Sequence, residues 1–376
     1  MEGHFAHDVN LGLHWNYRQG PFNTATDMSI FNIATGQWQW AATNPFTGAP
    51  PNLPADLYNR QYKNFAPAAG IAYQLARKTV LRTGFSIAYD HGATLVQGNQ
   101  ELLGNYPFGS RTSNSSQNVG LLSGPTFVNP IPTSIVPSPG ITPAFSANPW
   151  NRTPYVMQWN FGFQQEIPGG MVLSTDYVGS AGRELAMQLK YNVALYPAPG
   201  SIAAREPYPQ FGPFSLDANE GKSDYNSLQV KVERRFAQGL TFLGSYTWSK
   251  VIGTNSLHVG NTVQDPYHIA ASRGPLAFDI PQMFVFSSVY ELPFGRGKRW
   301  LSSTGPANWV FGGWNLGGIL SFYAGAPLTV TVPFDNANTG STVQRADIVP
   351  GNSLTGPNTR QRWFNTGAFR VPAPFR

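Results

Sequence analysis

The amino-acid sequence predicts an all-β fold: an antiparallel transmembrane β-barrel segment (a partial barrel) with short periplasmic turns and long extracellular loops. Three observations lead to this prediction. Several segments of about ten residues alternate apolar and polar side chains, which is the period of a strand with one oily and one wet face. Charged residues are only 12% of the chain, whereas aromatic residues are 14%. Short turns and long polar loops alternate between the segments.

The composition separates this chain from ordinary soluble proteins, which carry roughly 25% charged residues. The mean hydropathy is nevertheless −0.24, as expected for a membrane barrel in which only alternate strand residues touch lipid. No run of about 18 apolar residues exists, so no transmembrane helix is expected. The absence of cysteine excludes disulfides, a thiolate zinc site and a cysteine nucleophile. The 39 glycines and 32 prolines favour many turns.

Nine strands are expected from the alternation. The clearest are the two strands of the hairpin within Ser227–Lys250, whose turn is Ala237-Gln238-Gly239. Most of the segments are near the length of about 9–11 residues that a tilted strand needs to cross a bilayer. The other predicted strands are, in order, Val9–Tyr17, Phe65–Gln74, Val80–Asp90, Pro154–Ile167, Met171–Gly179, Pro281–Glu291 and Trp314–Tyr323.

The connections between these strands differ in kind at the two ends of the predicted sheet. One end carries short turns at Ala76-Arg77-Lys78, Pro168-Gly169-Gly170 and Ala237-Gln238-Gly239, with Leu292–Gly313 as a longer member. The other end carries long polar loops, which are rare in compact soluble domains but systematic in outer-membrane barrels. These loops are Arg18–Asn64, His91–Thr153, Ser180–Ser223, Val251–Ile280 and Ala324 onward.

Aromatic residues near strand ends fit the girdles that barrels place at the level of the lipid headgroups. The same alternation would also suit the core of a β-sandwich, so both interpretations stay open on periodicity alone. The predicted girdle residues are Trp159, Tyr177, Tyr246, Trp248, Tyr290 and Trp314.

No catalytic, cofactor-binding or metal site is predicted, because the nucleophile-elbow, phosphate-loop, zinc-protease and EF-hand motifs are missing. His4 and His7 with Asp8, and Asp265 with His268, are read as ordinary surface groups rather than metal ligands. The basic cluster Arg296–Arg299 is a short polar turn, so no nucleic-acid partner is expected.

Charged residues lie on and beside the predicted strands. The side chains of Lys231, Glu233 and Arg235 alternate in sign on the wet face. In a barrel they are expected to pair across strands around interior water or against an inserted plug. Asp279, at the mouth of a strand, has no evident partner in the sequence.

Several ordered segments resemble one family: NFAPAAGIAY, TPYVMQWNFGFQQEIPGG, STDYVGSAGRELA, SLQVKVERRFAQGLTFLGSYTWSK, RGPLAFDIPQMFVFSSVYELPFGRGKRW and GGWNLGGILSFYAGAPLTV. Together, over about Leu11 to Arg376, they are similar to the barrel of Oar-like TonB-dependent outer-membrane receptors. The resemblance implies a 22-stranded barrel filled by an N-terminal plug and energised by the inner-membrane TonB complex. Residues 1–376 are therefore expected to be a partial receptor barrel domain, with signal peptide, plug and closing strands absent.

The leading functional hypothesis is a receptor or transporter barrel in the outer membrane of a Gram-negative cell. Its partners would be outer-membrane lipid, the TonB complex through a plug that this chain lacks, and an unknown solute. The solute could be an oligosaccharide, a peptide or a metal chelate, bound on the loops His91–Thr153 and Ser180–Ser223. The alternative is a secreted β-sandwich adhesin or carbohydrate-binding module. An enzyme is not expected.

Overall fold

A computed structural model describes residues 7–18, 29–44, 46–53, 61–90, 105, 143–148, 150–237, 239–254, 263–302, 305–341, 343–357 and 359–376. This part of the chain contains one α-helix, α1 (Pro306–Phe311), and short 3-10 turns. No helix within it is long and apolar enough to cross a membrane. The strands are β1 (His7–Arg18), β2 (Ser29–Asn32), β3 (Gln37–Trp40), β4 (Gln61–Ala76), β5 (Thr79–Tyr89), β6 (Phe145–Ala147), β7 (Tyr155–Ile167), β8 (Met171–Tyr191), β9 (Phe214–Ala237), β10 (Leu240–Gly253), β11 (Gly274–Pro275), β12 (Gln282–Glu291), β13 (Asn315–Tyr323), β14 (Asp347–Ile348) and β15 (Phe369–Arg370).

Nine of these strands form one meander in the order β1-β4-β5-β7-β8-β9-β10-β12-β13. Every neighbouring pair along this path is antiparallel. The nine predicted strands are thereby confirmed, most of them within three residues of the expected bounds. The sheet does not close on itself within the described residues, because β1 and β13 lie at its two edges.

The predicted loop Ser180–Ser223 is wrong over much of its length. Strand β8 continues to Tyr191 and β9 already begins at Phe214, so the connection between them shrinks to residues 192–213. Beyond Gly179 the side chains contact other protein segments instead of lipid on one side and water on the other. The alternation that reveals a strand in the sequence therefore weakens, although the backbone ladder continues.

The register gives the sheet two chemically different faces. Phe163 pairs with Leu81 on one side and Thr175 on the other, and the row continues through Val230, Tyr246, Phe284 and Phe322. One residue along each strand, the opposite face carries Arg82, Gly162, Asp176, Gln229 and Thr247. One face is thus apolar and the other polar.

The apolar face is exposed rather than packed against a second sheet. Among its residues, Phe161 is 55%, Trp248 59% and Phe322 63% exposed. Within the described residues no other sheet covers these side chains, so the β-sandwich alternative is wrong for this part of the chain. The apolar face is the lipid-facing surface of a partial barrel, and the polar face is the wall of its interior.

Ion pairs mark both limits of the lipid-facing band. At the short-turn, periplasmic end, Lys78 pairs with Glu166 at 3.1 Å and Lys298 with Glu291 at 2.7 Å. At the extracellular end Lys250 lies 2.6 Å from the carboxylate of Asp279. The nine residues 240–248 of β10 lie between these limits, about 27 Å along the strand. With a tilt of about 40° they cover roughly 20 Å of the membrane normal, close to the apolar band of about 25 Å in known barrels.

Two of the predicted girdle aromatics show the half-oily, half-polar contacts of a membrane interface. The hydroxyl of Tyr177 donates to Oδ1 of Asn226 at 2.6 Å, near the extracellular limit. The indole Nε1 of Trp314 donates to the carbonyl of Val310 at 2.7 Å, near the periplasmic limit.

An extracellular lobe rises above the barrel on the extended β8–β9 hairpin. We use this name for the described residues of 29–53, 143–148, 186–219, 263–279 and 324–376. Its main core is a cluster of buried side chains from the hairpin and the connection that follows β10: Met187, Leu189, Leu216, Ala218, Val263 and Ile269. A second, aromatic cluster surrounds Phe31 and contains Phe211 and Phe214.

Polar contacts tie the lobe's connections together. The amide Nδ2 of Asn192 donates to the carbonyls of Tyr208, Phe211 and Gly212, at 3.0, 2.9 and 3.2 Å. Asn192 is fully buried and has a φ of 56°, a left-handed conformation that asparagine tolerates better than most residues. This one side chain therefore closes the connection between β8 and β9.

Candidate functional site

The extracellular lobe encloses a small cavity of about 220 Å³. Three connections that are far apart in the sequence form its walls: residues 193–197 after β8, residues 264–271 after β10, and residues 335–345 after β13. All three follow strands at their extracellular ends, which is why the meander brings them to the same place.

Hydrogen bonds between the connections hold the cavity in shape. Asn338 donates from Nδ2 to the carbonyls of Ala198 and Gly200 at 2.8 and 2.9 Å. The guanidinium of Arg205 donates to the carbonyl of Asn338 at 2.9 Å, and Nζ of Lys190 donates to the carbonyl of Gly340 at 2.7 Å. The third wall is thus fastened to the β8–β9 hairpin.

Tyr267 fixes the second wall to the first. Its hydroxyl donates to the carbonyl of Val193 at 2.8 Å. Burial is the main cause that raises the pKa of Tyr267 far above its usual value, with the nearby Tyr191 adding to the effect. The phenol therefore stays a neutral donor at any physiological pH.

The carboxylates on the cavity wall are occupied by their own loops. Asp335 accepts from the backbone N–H groups of Thr339 and Gly340, at 3.1 and 2.6 Å. Asp265 accepts from the backbone of Tyr267 at 2.8 Å, and its other oxygen lies 2.8 Å from Nδ1 of His268. Both carboxylates therefore stabilise their own turns, and their oxygens already have hydrogen-bond partners on the protein.

Gln344 differs from its neighbours because only one of the two polar atoms of its side-chain amide is hydrogen-bonded. It is 4% exposed, and its Oε1 accepts from the backbone N–H of Asn336 at 2.7 Å. Its Nε2 has no hydrogen-bond partner among the described residues, although the residue lines the cavity. A buried unpaired donor costs about 1–3 kcal/mol, and this Nε2 is itself buried, out of reach of water in the cavity.

The polar barrel wall carries a second, larger groove of about 920 Å³ near the periplasmic end. Lys231, Glu233 and Arg235 line it, as expected for the interior face. The expected pairing across strands is wrong for the first two, because Nζ of Lys231 lies 3.4 Å from Glu233 of the same strand. Residues two apart share a face of a strand, which lets these long side chains meet along it.

The expectation that Asp279 has no evident partner is wrong. It has a partner after all: its carboxylate accepts from Nζ of Lys250 at 2.6 Å and from the backbone N–H of Val251 at 2.8 Å. The carboxylate is fully buried, whereas the lysine is half exposed. Asp279 therefore anchors the connection between β10 and β12 to the top of β10.

The other candidate groups give no metal site. The side chains of His4, His7 and Asp8 lie outside the described residues. Asp265 and His268 do meet, but no group of three or more His, Cys, Asp or Glu side chains in the described ranges could hold a metal ion.

The predicted binding loops are placed only in part. Most of His91–Thr153 lies outside the described residues, and of Ser180–Ser223 the structure brings residues 193–197 to the cavity. The sequence does not predict the walls at 264–271 and 335–345 as binding loops, because no local motif marks them. Their polar composition was the only signal in the sequence.

Residues 8–376 match the family described as the outer membrane beta barrel domain. No curated protein matches the sequence. Among solved structures, the outer membrane transporter YddB from Escherichia coli is similar over 77% of this chain and 33% of its own, with 13% identity and a TM-score of 0.44.

Two receptor structures are similar over larger parts of this chain. For a mutant of the ferric enterobactin receptor PfeA from Pseudomonas aeruginosa, the shares are 84% and 43%, with 11% identity and a TM-score of 0.33. For a mutant of the Serratia marcescens hemophore receptor HasR they are 85% and 47%, with 10% identity and a TM-score of 0.29. The chain spans less than half the length of each of these three proteins. By its family match and its two-faced antiparallel sheet, this outer-membrane chain belongs to the outer membrane beta barrel domain family.

Proposed function

We propose that this chain forms part of the barrel wall and the extracellular binding lobe of an outer-membrane transporter. The transporter is of the TonB-dependent receptor type, within the Oar-like group. The lobe captures a solute outside the cell, and the polar face of the sheet borders the path inward. One observation carries the proposal: a lobe with a shaped polar cavity stands on the same two strands that form part of the barrel wall.

The open sheet sets a condition on this function. Unpaired backbone N–H and C=O groups at a sheet edge cost several kcal/mol each in lipid. The edges of β1 and β13 therefore need partner strands when the sheet lies in a membrane. We propose that strands of a larger receptor barrel supply them, and that a plug and the TonB complex gate and energise the passage.

Uptake in cells tests this function. A Gram-negative host would produce the receptor barrel that contains this chain, and the entry of labelled oligosaccharides, peptides and metal chelates would be measured. The proposal expects accumulation of one class of solute, lost when the host lacks TonB or its proton gradient is collapsed. Equal entry without TonB would indicate a passive pore, and a chain that never reaches the outer membrane would refute the transporter role.

A further inference from the structure

An exposed aromatic surface lies on the periplasmic connection, the name used here for the described residues of 292–313 between β12 and β13. Trp309 is 89% exposed, and Val310 and Phe311 are exposed as well. All three belong to α1, which contains no buried and no charged residue. A helix of six residues is too short to be stable in water by itself, so an apolar environment on its outer side would stabilise it.

The position of α1 beside the sheet indicates which apolar environment this is. The backbone N–H of Leu292 donates to the carbonyl of Trp314 at 2.9 Å, which continues the pairing of β12 with β13. Trp314 therefore extends the lipid-facing row that contains Leu316. Its indole Nε1 donates to the carbonyl of Val310 at 2.7 Å. The helix thus lies next to the lipid-facing surface at its periplasmic limit, and its exposed side chains prolong that surface.

A basic loop packs against α1. The rings of Phe294 and Trp300 lie 5.5 Å apart at an interplanar angle of 33°, and they close the loop that contains Arg296–Arg299. A Cβ atom on Gly295 would lie only 3.0 Å from Cα of Gly312, the residue after α1, so the two backbones touch. The loop and the helix therefore form one unit, which places the basic residues beside the exposed aromatic ones.

The charge on the periplasmic connection is entirely positive. Residues 292–313 contain Arg296, Lys298 and Arg299 and no acidic residue. Lys298 pairs with Glu291 at 2.7 Å. The two arginines are exposed, and neither forms an ion pair with another described residue; the guanidinium of Arg299 lies 5.4 Å from the ring centroid of Trp300. Two positive charges beside an apolar surface are typical of a segment that lies on an anionic bilayer.

We propose that the periplasmic connection lies on the periplasmic leaflet of the membrane and binds anionic phospholipids. Trp309 and Phe311 enter the headgroup region next to the lipid-facing surface, and Arg296 and Arg299 bind lipid phosphates. The sequence predicts only a short polar turn at the basic cluster, whereas its packing beside α1 gives the cluster a ligand. The inference depends on the chain's place in the outer membrane and not on the transporter role.

A fluorescent label on α1 tests the contact with lipid. The receptor barrel that contains this chain would be reconstituted into phosphatidylcholine vesicles, with a nitrobenzoxadiazole label at a single introduced cysteine, Val310→Cys. A label at Phe161→Cys, on the lipid-facing surface, gives the lipid reference. A label at Pro168→Cys, on an exposed short turn at the same end, gives the water reference. The Val310 label is expected to be quenched by spin-labelled lipids and protected from aqueous iodide, unlike the Pro168 label.

Charge variants test the headgroup preference with the same label. Spin-labelled phosphatidylglycerol and phosphatidylcholine would be compared at equal mole fraction. Each basic residue near an anionic surface contributes about fivefold in affinity, so phosphatidylglycerol should be enriched at the Val310 label by about fivefold or more. Arg296→Gln with Arg299→Gln should remove this preference, as should about 1 M salt, where the Debye length is about 3 Å. The control Arg360→Gln with Arg362→Gln removes the same charge from exposed sites on the extracellular lobe and should change nothing.

A third pair of variants tests the aromatic contact. Trp309→Tyr keeps a side chain that suits the membrane interface and should keep the protection from iodide. Trp309→Ser should raise iodide quenching of the Val310 label toward that of the Pro168 label.

Four results would overturn the inference and leave TonB-dependent uptake standing. They are iodide quenching at Val310 as strong as at Pro168, shielding of the Val310 label from both iodide and lipid, equal quenching by the two lipids, and equal effects of the two arginine pairs. The second result would mean that a protein segment covers α1. Lipid contact that depends on Arg296 and Arg299, in a receptor that supports no uptake, would support the inference and refute the transporter.

Discussion

The contact between Gly179 and Trp159 offers the sharpest test of the lipid-facing surface. The two residues are register partners on β8 and β7, and the indole lies directly over the glycine. A methyl group at Gly179 would come 2.2 Å from Cε2 and 2.5 Å from Cζ2 of Trp159. Carbon atoms in contact are about 3.5–4.0 Å apart, so Gly179→Ala requires the ring to move by roughly 1.5 Å.

Two opposing terms set the size of the effect. Overpacking costs about 1–3 kcal/mol, and the lower half of that range applies because the half-buried indole can swing toward lipid. Alanine is better than glycine in a strand by about 0.5–1 kcal/mol. The net expectation for Gly179→Ala is a loss of up to about 1.5 kcal/mol of unfolding free energy. Gly318→Ala, on the same face of β13 with no atom within 4 Å, should instead gain about 0.5–1 kcal/mol.

The assay is urea unfolding of the receptor barrel that contains this chain, refolded in detergent micelles and followed by tryptophan fluorescence. A double-mutant cycle with Trp159→Ala isolates the contact. In that background Gly179→Ala should become neutral or stabilising, since the obstructing ring is gone. Equal destabilisation with and without the indole would refute the packing argument, as would equal shifts for the two glycine variants.

Three further outcomes are expected. Asp279→Ala leaves the N–H of Val251 and a lysine without their acceptor and should cost about 1–3 kcal/mol, with Asp279→Asn costing less; equal losses would show that the charge is irrelevant. Because the chain has no native cysteine, a label at Phe161→Cys should report lipid-soluble quenchers and one at Asn160→Cys water-soluble ones; identical profiles would contradict the two faces. Asn192→Asp sets a carboxylate against three carbonyls, so limited proteolysis should cut the lobe while the barrel strands stay protected; an intact lobe would count against this anchor.

The membrane strands could be predicted because their environment is local and simple. In β7, Trp159 and Phe161 face lipid while Asn160 faces the interior, and the two solvents impose the period of two directly on the sequence. Neighbouring strands repeat the rule independently, so the order of the meander followed from the lengths of the connections. No such alternation of apolar and polar residues marks β8 beyond Gly179, because both faces of the strand contact protein there.

The cavity and its anchors could not be predicted, because they depend on contacts between distant segments. Tyr196, Asp265 and Gln344 come from three connections, and no spacing relates them. Asp279 lies 29 residues from its lysine partner, and only the return of the chain at β12 brings the two together. The free donor of Gln344 is still less visible, since it exists only because a backbone N–H occupies the other half of the amide.

The β8–β9 hairpin serves two environments, and an irregularity in its ladder separates them. Between the pairs Gly182–Ser223 and Leu185–Gly221 the register gains one residue on β8, and the next pair gains one on β9. Each added residue reverses the alternation of its own strand beyond that point. Because both strands are reversed, their pairing continues in register, and the side chains that pointed to one face of the hairpin now point to the other. Met187, fully buried, thereby packs in the lobe core instead of extending the lipid-facing side into water. The positive φ of 52° at Glu184 costs about 1–2 kcal/mol. Burying a side chain the size of methionine stabilises the fold by about 1.5–3 kcal/mol. This gain offsets the strain of the bulge at the point where the hairpin passes from the membrane into the extracellular lobe.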